Sequence, residues 1–292
     1  MKTFKKIIYT SLFFTNALIL GSSCNSAPQQ NKPSLLDSAR IVSVNGTTSE
    51  ILAGLGLEDK IVGVDVASTY PESLSSIPQI GHSRKLSSEG ILALNPTMVI
   101  GTKKDVSPEI AEILSSAGVN LMLFEQEFSV EGSKHLIRSI ADSLGIHNKG
   151  DSIIQILKND LEQINIQKYK DQKSKVLFIY ARGTGTMMVA GEDTPIQKII
   201  ELAGAENAVS GFTDYKPLTA EALVAANPDV ILLFDSGLKS LGGIPGLLEV
   251  QGIKETKAGK NKKFIEMDGQ FLTGFSPRLG KALQELSTKI YQ

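Results

Sequence analysis

The stretch QIGHSRKLSSEGILALNPTMVI, residues 79–100, sets His82 and Arg84 two positions apart between a glycine and a helix start. Imidazole is a common donor to transition metals. Guanidinium is the side chain suited to gripping a carboxylate with two parallel hydrogen bonds. A loop histidine is equally an ordinary solvated residue, so the pair by itself names no ligand. The other two histidines, His135 in a helical stretch and His147 in a polar loop, supply no converging set of the kind that zinc or manganese requires. Arg182 in YARGTG, Tyr215 in TDYKPL and Arg278 in GFSPRLG are further polar groups at element ends. Met187 and Met188 could act as thioether donors, but their strand pattern reads as core packing. GEDT and GTGT fall short of a phosphate-binding loop, and no Gly-x-Ser-x-Gly elbow is present.

These residues hang on a regular alternation of elements. RIVSVN, IVGVD and TMVIGT read as strands, and TSEILAGLGL, SSEGILALN and SPEIAEILSSAG read as helices. Such βα alternation predicts a mostly parallel sheet covered by helices. Residues 133–170 carry helical periodicity broken at GIHNKG, with a long, charge-rich second part. The alternation then resumes with KVLFIYA, MMVAG, DVILLFD and KKFIEMD as strands.

Residues 86–100, LSSEGILALNPTMVI, align without gaps to residues 218–232, LTAEALVAANPDVIL. The identical pairs are Leu86 and Leu218, Glu89 and Glu221, Ala93 and Ala225, Asn95 and Asn227, and Pro96 and Pro228, so two lobes of common design are expected. Ser87 and Thr219 are placed to cap their helices, and each glutamate falls in a first turn, where the helix dipole favours an acid. Asn-Pro ends each helix, because the residue before proline is biased away from helical backbone. Tyr215 lies three residues before Leu218 much as His82 lies four before Leu86.

Composition sets the compartment and excludes some partners. With 30 basic and 31 acidic residues the formal charge is −1, not the basic excess of a general nucleic-acid binder. Lys2, Lys5 and Lys6 precede the apolar run IIYTSLFFTNALIL, which has the form of an export signal over residues 1–23. Cys24, the single cysteine, follows at once and resembles a bacterial lipoprotein cleavage site, although Gly21 stands where leucine is preferred. Residues 24–39 then read as a polar tether.

From Arg40 onward the chain resembles the substrate-binding proteins of ABC importers for haem, cobalamin and siderophores. The N-terminal part of the resemblance rests on RIVSVNGTTSEILAGLGLEDKIVGVDVASTYPESLSSIPQIGHSRKLSSEGILALNPTMVIGT. Its haem branch is matched by TMMVAGEDTPIQKIIELAGAENAVSGFTDYKPLTAEALVAANPDVILL, GLKSLGGIPGLLEVQGIKETKAGKNKKFIEMD and LTGFSPRLG. The resemblance implies an α/β protein of two Rossmann-like lobes (40–145 and 173–292) joined by a single long helix within 146–172, with ligand in the cleft between them. It implies haem as the transported ligand, and the haem branch carries Gly-Tyr-x-Arg where this chain has Gly81-His82-Ser83-Arg84. His82 then takes the place of the family's axial tyrosine, a tolerable exchange of phenolate for imidazole. Tyr215 becomes a second axial candidate or a tyrosine packed on its own lobe, and Arg84, Arg182 and Arg278 become partners for propionates. Glu89 and Glu221 match the acids that dock one lobe on each subunit of a permease dimer with its ATPase. A monomer, lipid-anchored through Cys24 in the periplasm or on the outer face of the cytoplasmic membrane, is implied. The alternatives are a siderophore or cobalamin in the same architecture and, from a different class, a surface enzyme. The absence of tryptophan argues against the aromatic-lined cleft expected for cobalamin.

Overall fold

The computed structural model describes residues 36–82, 85–164 and 173–292. The export signal, Cys24, Arg84 and the end of the expected connecting segment lie outside the described residues.

The first sheet contains β1 (Ile41–Ser43), β2 (Ile61–Val64), β3 (Met98–Thr102) and β4 (Asn120–Phe124) in the order β2-β1-β3-β4, all parallel. Its helices are α1 (Gly46–Gly54), α2 (Ser88–Leu92), α3 (Pro108–Ser116) and α4 (Val130–Ser143). One sheet face buries Ile41, Val64, Met98 and Ile100 with Ile51, Leu52, Leu136 and Ile140 of α1 and α4. The other buries Val42, Val44 and Val99 with Ile91 and Leu114 of α2 and α3. Strands buried on both faces account for the continuous apolar runs rather than alternation.

α5 (His147–Glu162) packs on α4 and on the C-terminal helix α12 (Leu279–Tyr291). Glycines allow both approaches: a Cβ at Gly150 would stand 2.5 Å from that of Ala141, and one at Gly280 would stand 2.5 Å from that of Asp160. Ile153 and Leu157 of α5 thereby share one core with Leu136 on one side and Leu283 and Leu286 on the other. His147, read from sequence as lying in a polar loop, is the first residue of α5, its Nδ1 2.6 Å from Asp142 Oδ1.

The second sheet departs from the expected parallel design. Its strands are β5 (Lys175–Ala181), β6 (Met187–Ala190), β7 (Glu206–Asn207), β8 (Tyr215–Pro217), β9 (Val230–Phe234) and β10 (Phe264–Met267). The order is β10-β9-β5-β6-β8, with β7 beside β5. β10, β9 and β5 run parallel, whereas β6 and β8 add an antiparallel edge. GTG between β5 and β6 is short enough for a hairpin, and Gly183 turns it with φ of +66°. The helices of this half are α6 (Pro195–Leu202), α7 (Ala220–Ala226), α8 (Asp235–Ser240), α9 (Gly243–Leu248), α10 (Lys257–Asn261), α11 (Gly269–Thr273) and α12.

The two repeat copies fold alike. Ser87 Oγ accepts from Gly90 N at 3.1 Å, and Thr219 Oγ1 accepts from Ala222 N at 3.1 Å. Asn227 caps α7 in left-handed backbone with φ of +40°, and Asn95, three residues beyond the end of α2 at Leu92, has φ of +46°. Asparagine tolerates this conformation better than most residues, so at Asn227 the asparagine as well as the proline stops the helix. No helix among the described residues is long and apolar enough to cross a membrane.

Candidate functional site

In open α/β sheets ligands bind outside the carboxyl ends of the parallel strands. At that edge of the first sheet, Gln79 bridges to Val64, Ile80 N donates to Val64 O, and Val66 N donates to Gly81 O. Segment 79–81 thus extends the sheet beside β2 and delivers His82 just beyond its edge. Gly81 has φ of +99°, a conformation that glycine alone adopts without strain, and Lys85 N closes the turn on His82 O at 2.7 Å. The His82 side chain is exposed.

Behind this edge lies a buried polar chain. Asp65 is 1% exposed, and Ser68 Oγ donates to its Oδ1 at 2.6 Å. Ser68 and Ser49 hydroxyls are 2.7 Å apart, and Ser49 Oγ donates to Ser43 Oγ at 2.8 Å. Asp105 accepts from Asn45 Nδ2 and from both Thr102 N and Thr102 Oγ1. Burial pushes the Asp65 carboxyl up from 3.8 to about 6, with the Asp105 charge adding to it; hydrogen bonds from Ser68 and the Ala67 amide and the charge of His82 act against it.

Below pH 3.8 Asp65 is protonated in the folded and unfolded chain alike and costs nothing. As pH rises from 3.8 to about 6 the unfolded chain ionises first, so stability falls, and above about 6 the loss is complete at roughly 3 kcal/mol. Asp65→Asn, which keeps an acceptor for Ser68, is therefore expected to raise the ligand-free Tm by several degrees at pH 7.5 and to converge on the parent near pH 4. Thermal unfolding across that range checks it; an equal difference at both ends would show that Asp65 does not titrate this way.

On the second sheet, cross-strand register decides which side chains meet. Tyr180 pairs with Met188 and Ala190 with Tyr215, while Phe178 pairs with Leu232. Paired residues share a face and faces repeat every second residue, so Phe178, Tyr180, Met188, Tyr215 and Phe234 look the same way. The rings of Phe178 and Tyr180 stand edge-on to Phe234, at centroid distances of 4.8 and 6.3 Å. Tyr215 is half-buried in strand β8, not in the turn its neighbours suggest. Arg182 follows β5, is exposed, and carries its guanidinium 5.8 Å from the Tyr180 ring centre.

Arg278 is placed differently. Its Nε and one terminal nitrogen grip Glu50 Oε1 and Oε2 at 3.0 and 2.9 Å, and its guanidinium lies 3.6 Å from the centre of the Tyr70 ring and 4.9 Å from that of Phe271. One edge of this arginine is therefore committed to a carboxylate of the first lobe. Glu89 and Glu221 are exposed in the first turns of α2 and α7. Sequence reading passed over Glu50, Asp65, Tyr70 and Gln270; the signal for Glu50 was an acid inside an apolar helical run. Two surface depressions of about 510 and 400 Å3, over Ala53, Glu58 and Leu74 and over Glu192, Gln197 and Asn207, hold none of the candidate residues.

Known proteins agree with this architecture. The structure of the periplasmic heme-binding protein RhuT from Roseiflexus sp. RS-1 superposes with a TM-score of 0.83 at 39% identity, covering 87% of this chain and 98% of that one. An ABC transporter substrate-binding lipoprotein of Bacillus subtilis, YvrC, is 27% identical over 86% of this chain and 80% of its own length. The vitamin B12-binding protein of Vibrio vulnificus is 22% identical over 85% of this chain and 88% of its own. The sequence profile described as periplasmic binding protein matches residues 41–271, and the chain belongs to that family.

Proposed function

We propose that this protein captures haem between its lobes and hands it to an ABC importer. The observation that carries this reading is the likeness to RhuT, which extends over 98% of that haem-binding structure. The residues supply a matching chemistry. His82 and Tyr215 offer one axial donor from each lobe, imidazole and phenol, both known to hold haem iron. Tyr180 and Phe234, half-buried over the Phe178 core, offer apolar contact to a porphyrin. Arg84, Arg182 and the uncommitted edge of Arg278 are the cations for propionates. None of these roles requires catalysis, and the protein acts as a binding protein rather than a surface enzyme.

Delivery falls to Glu89 and Glu221, exposed at corresponding places on the two lobes, which face basic groups of a permease dimer coupled to its ATPase. Export by residues 1–23 and lipidation at Cys24 complete the picture, in keeping with YvrC being a lipoprotein. The two lobes, the joining helix and a monomeric state belong to the same proposal.

The second reading, cobalamin, is favoured by the vitamin B12-binding relative. One titration separates them. Purified protein titrated with hemin is expected to give a saturable Soret shift, and titrated with cyanocobalamin to give no saturable change. The reverse pattern would replace haem by cobalamin, and no response to either would point to a siderophore.

A further inference from the structure

Glu50 sits on α1 in the first lobe, 3% exposed, and all its acceptor capacity is turned to the second. Oε1 accepts from Ser276 Oγ at 2.8 Å, from Arg278 N at 3.2 Å and from Arg278 Nε at 3.0 Å. Oε2 accepts from Arg278 at 2.9 Å and from Gln270 Nε2 at 3.3 Å. Gln270 in turn donates to Gly46 O at 2.8 Å and accepts from Thr69 N at 2.7 Å. Gly274 O accepts from Thr47 Oγ1 at 2.6 Å and from Gln126 Nε2 at 3.1 Å. The approach is close, since a Cβ at Gly46 would stand 2.9 Å from Gln270 Cδ. Residues 270–278 thus belong to the second lobe in sequence and are fastened to the first by side-chain bonds.

The fastening is connected at both ends to the proposed iron donors. α1 follows β1, the strand beside β2, whose edge delivers His82. α11 follows β10 and begins at Gly269, where a Cβ would lie 3.6 Å from the Phe234 ring, on the face that carries Tyr215. A buried carboxylate therefore ties the helix that follows β1 to the segment that follows β10 and α11.

We infer that Glu50 is the positioning residue of the site: it holds the lobes at the separation at which His82 and Tyr215 both reach one iron. The inference rests on the haem reading above. Two axial bonds to one iron demand placement within about 0.5 Å, whereas apolar contact and propionate pairing tolerate more. Glu50→Gln keeps the volume but leaves the Arg278 cation without its partner, so the lobes relax and one axial bond lengthens or is lost.

The test compares hemin with iron-free protoporphyrin IX on the full chain and on Glu50→Gln, with circular dichroism and Tm as fold controls. The expected result is a hemin affinity lower by about tenfold or more, a change of ligation in the absorption and electron paramagnetic resonance spectra, and a protoporphyrin affinity changed by less than about threefold. Gln270→Met, which cuts the bonds to Thr69, Gly46 and Glu50 but leaves the Glu50–Arg278 ion pair, is expected to act in the same direction more weakly, and it carries the test should Glu50→Gln not fold. Unaltered hemin spectra and affinity in the folded variants overturn the inference. So does an equal loss of both porphyrins, which would mean that Glu50 supports the cleft and not ligation. Wild-type protein that fails to bind hemin refutes the haem reading itself, a result distinct from either.

Discussion

Hemin bound by His82→Ala is expected to show an absorption spectrum different from that of the parent and an affinity lower by about 10- to 100-fold, or about 1.4–2.7 kcal/mol. Tyr215→Phe is expected to alter the spectrum in a different way, because the two donors prefer different iron. Anionic phenolate favours the ferric state and neutral imidazole accepts the ferrous one. His82→Ala, left with tyrosine, should therefore have a lower reduction potential than the parent, and Tyr215→Phe, left with histidine, a higher one. Potentiometric titration followed at the Soret band reads both. The two residues differ in setting: His82 is exposed on a glycine-closed turn, whereas Tyr215 is half-buried on a strand. If both variants keep the parental spectrum, the iron is held elsewhere and the axial assignment falls. If only Tyr215→Phe changes it, the phenol is the sole protein donor and His82 is an ordinary turn residue.

The second large effect concerns transfer and leaves capture intact. Reversing both exposed acids, Glu89→Lys with Glu221→Lys, is expected to lower haem uptake by a cell dependent on this protein by about tenfold or more, with hemin affinity unchanged. Each single reversal should lie between. Charges at the rim of an interface govern encounter and register more than affinity, so the loss should deepen at low ionic strength, where like charges repel over longer distances. Helix stability is a competing explanation, since an acid in the first turn interacts with the dipole for a few tenths of a kcal/mol up to about 1. The caps at Ser87 and Thr219 remain in the variants, and equal Tm values would dispose of that explanation. Normal uptake by the double variant would remove the docking role.

Much of the fold was legible because its signals are local. A strand buried on both faces needs an unbroken apolar run, as in Ile231, Leu232 and Leu233. A helix end needs a cap within three residues, as at Ser107, Ser129 and Thr194. The copied motif around Glu89 and Glu221 is likewise a string of short-range instructions: cap, acid, apolar face, Asn-Pro stop. Such patterns fix an element wherever it is placed, and so the chain by itself determined alternating strands and helices in two similar halves, the family they resemble and the loop that carries His82.

Only the tertiary structure decided what lies far apart in the chain. Tyr215 became a strand residue because β6, after a short turn, pairs antiparallel with β5 and leaves an edge that Tyr215–Pro217 fills. Nothing within TDYKPL specifies that pairing. Asp65 reads as one acid among 31, and its raised pKa arises from packing that removes water around it. Arg278 reads as an arginine awaiting a ligand, yet a carboxylate 228 residues earlier already holds one edge of it. Pairings of this kind have no period and no fixed spacing, because they are set by which surfaces meet once the lobes are built, and that meeting is where Glu50 acquired Ser276 and Arg278 as its partners.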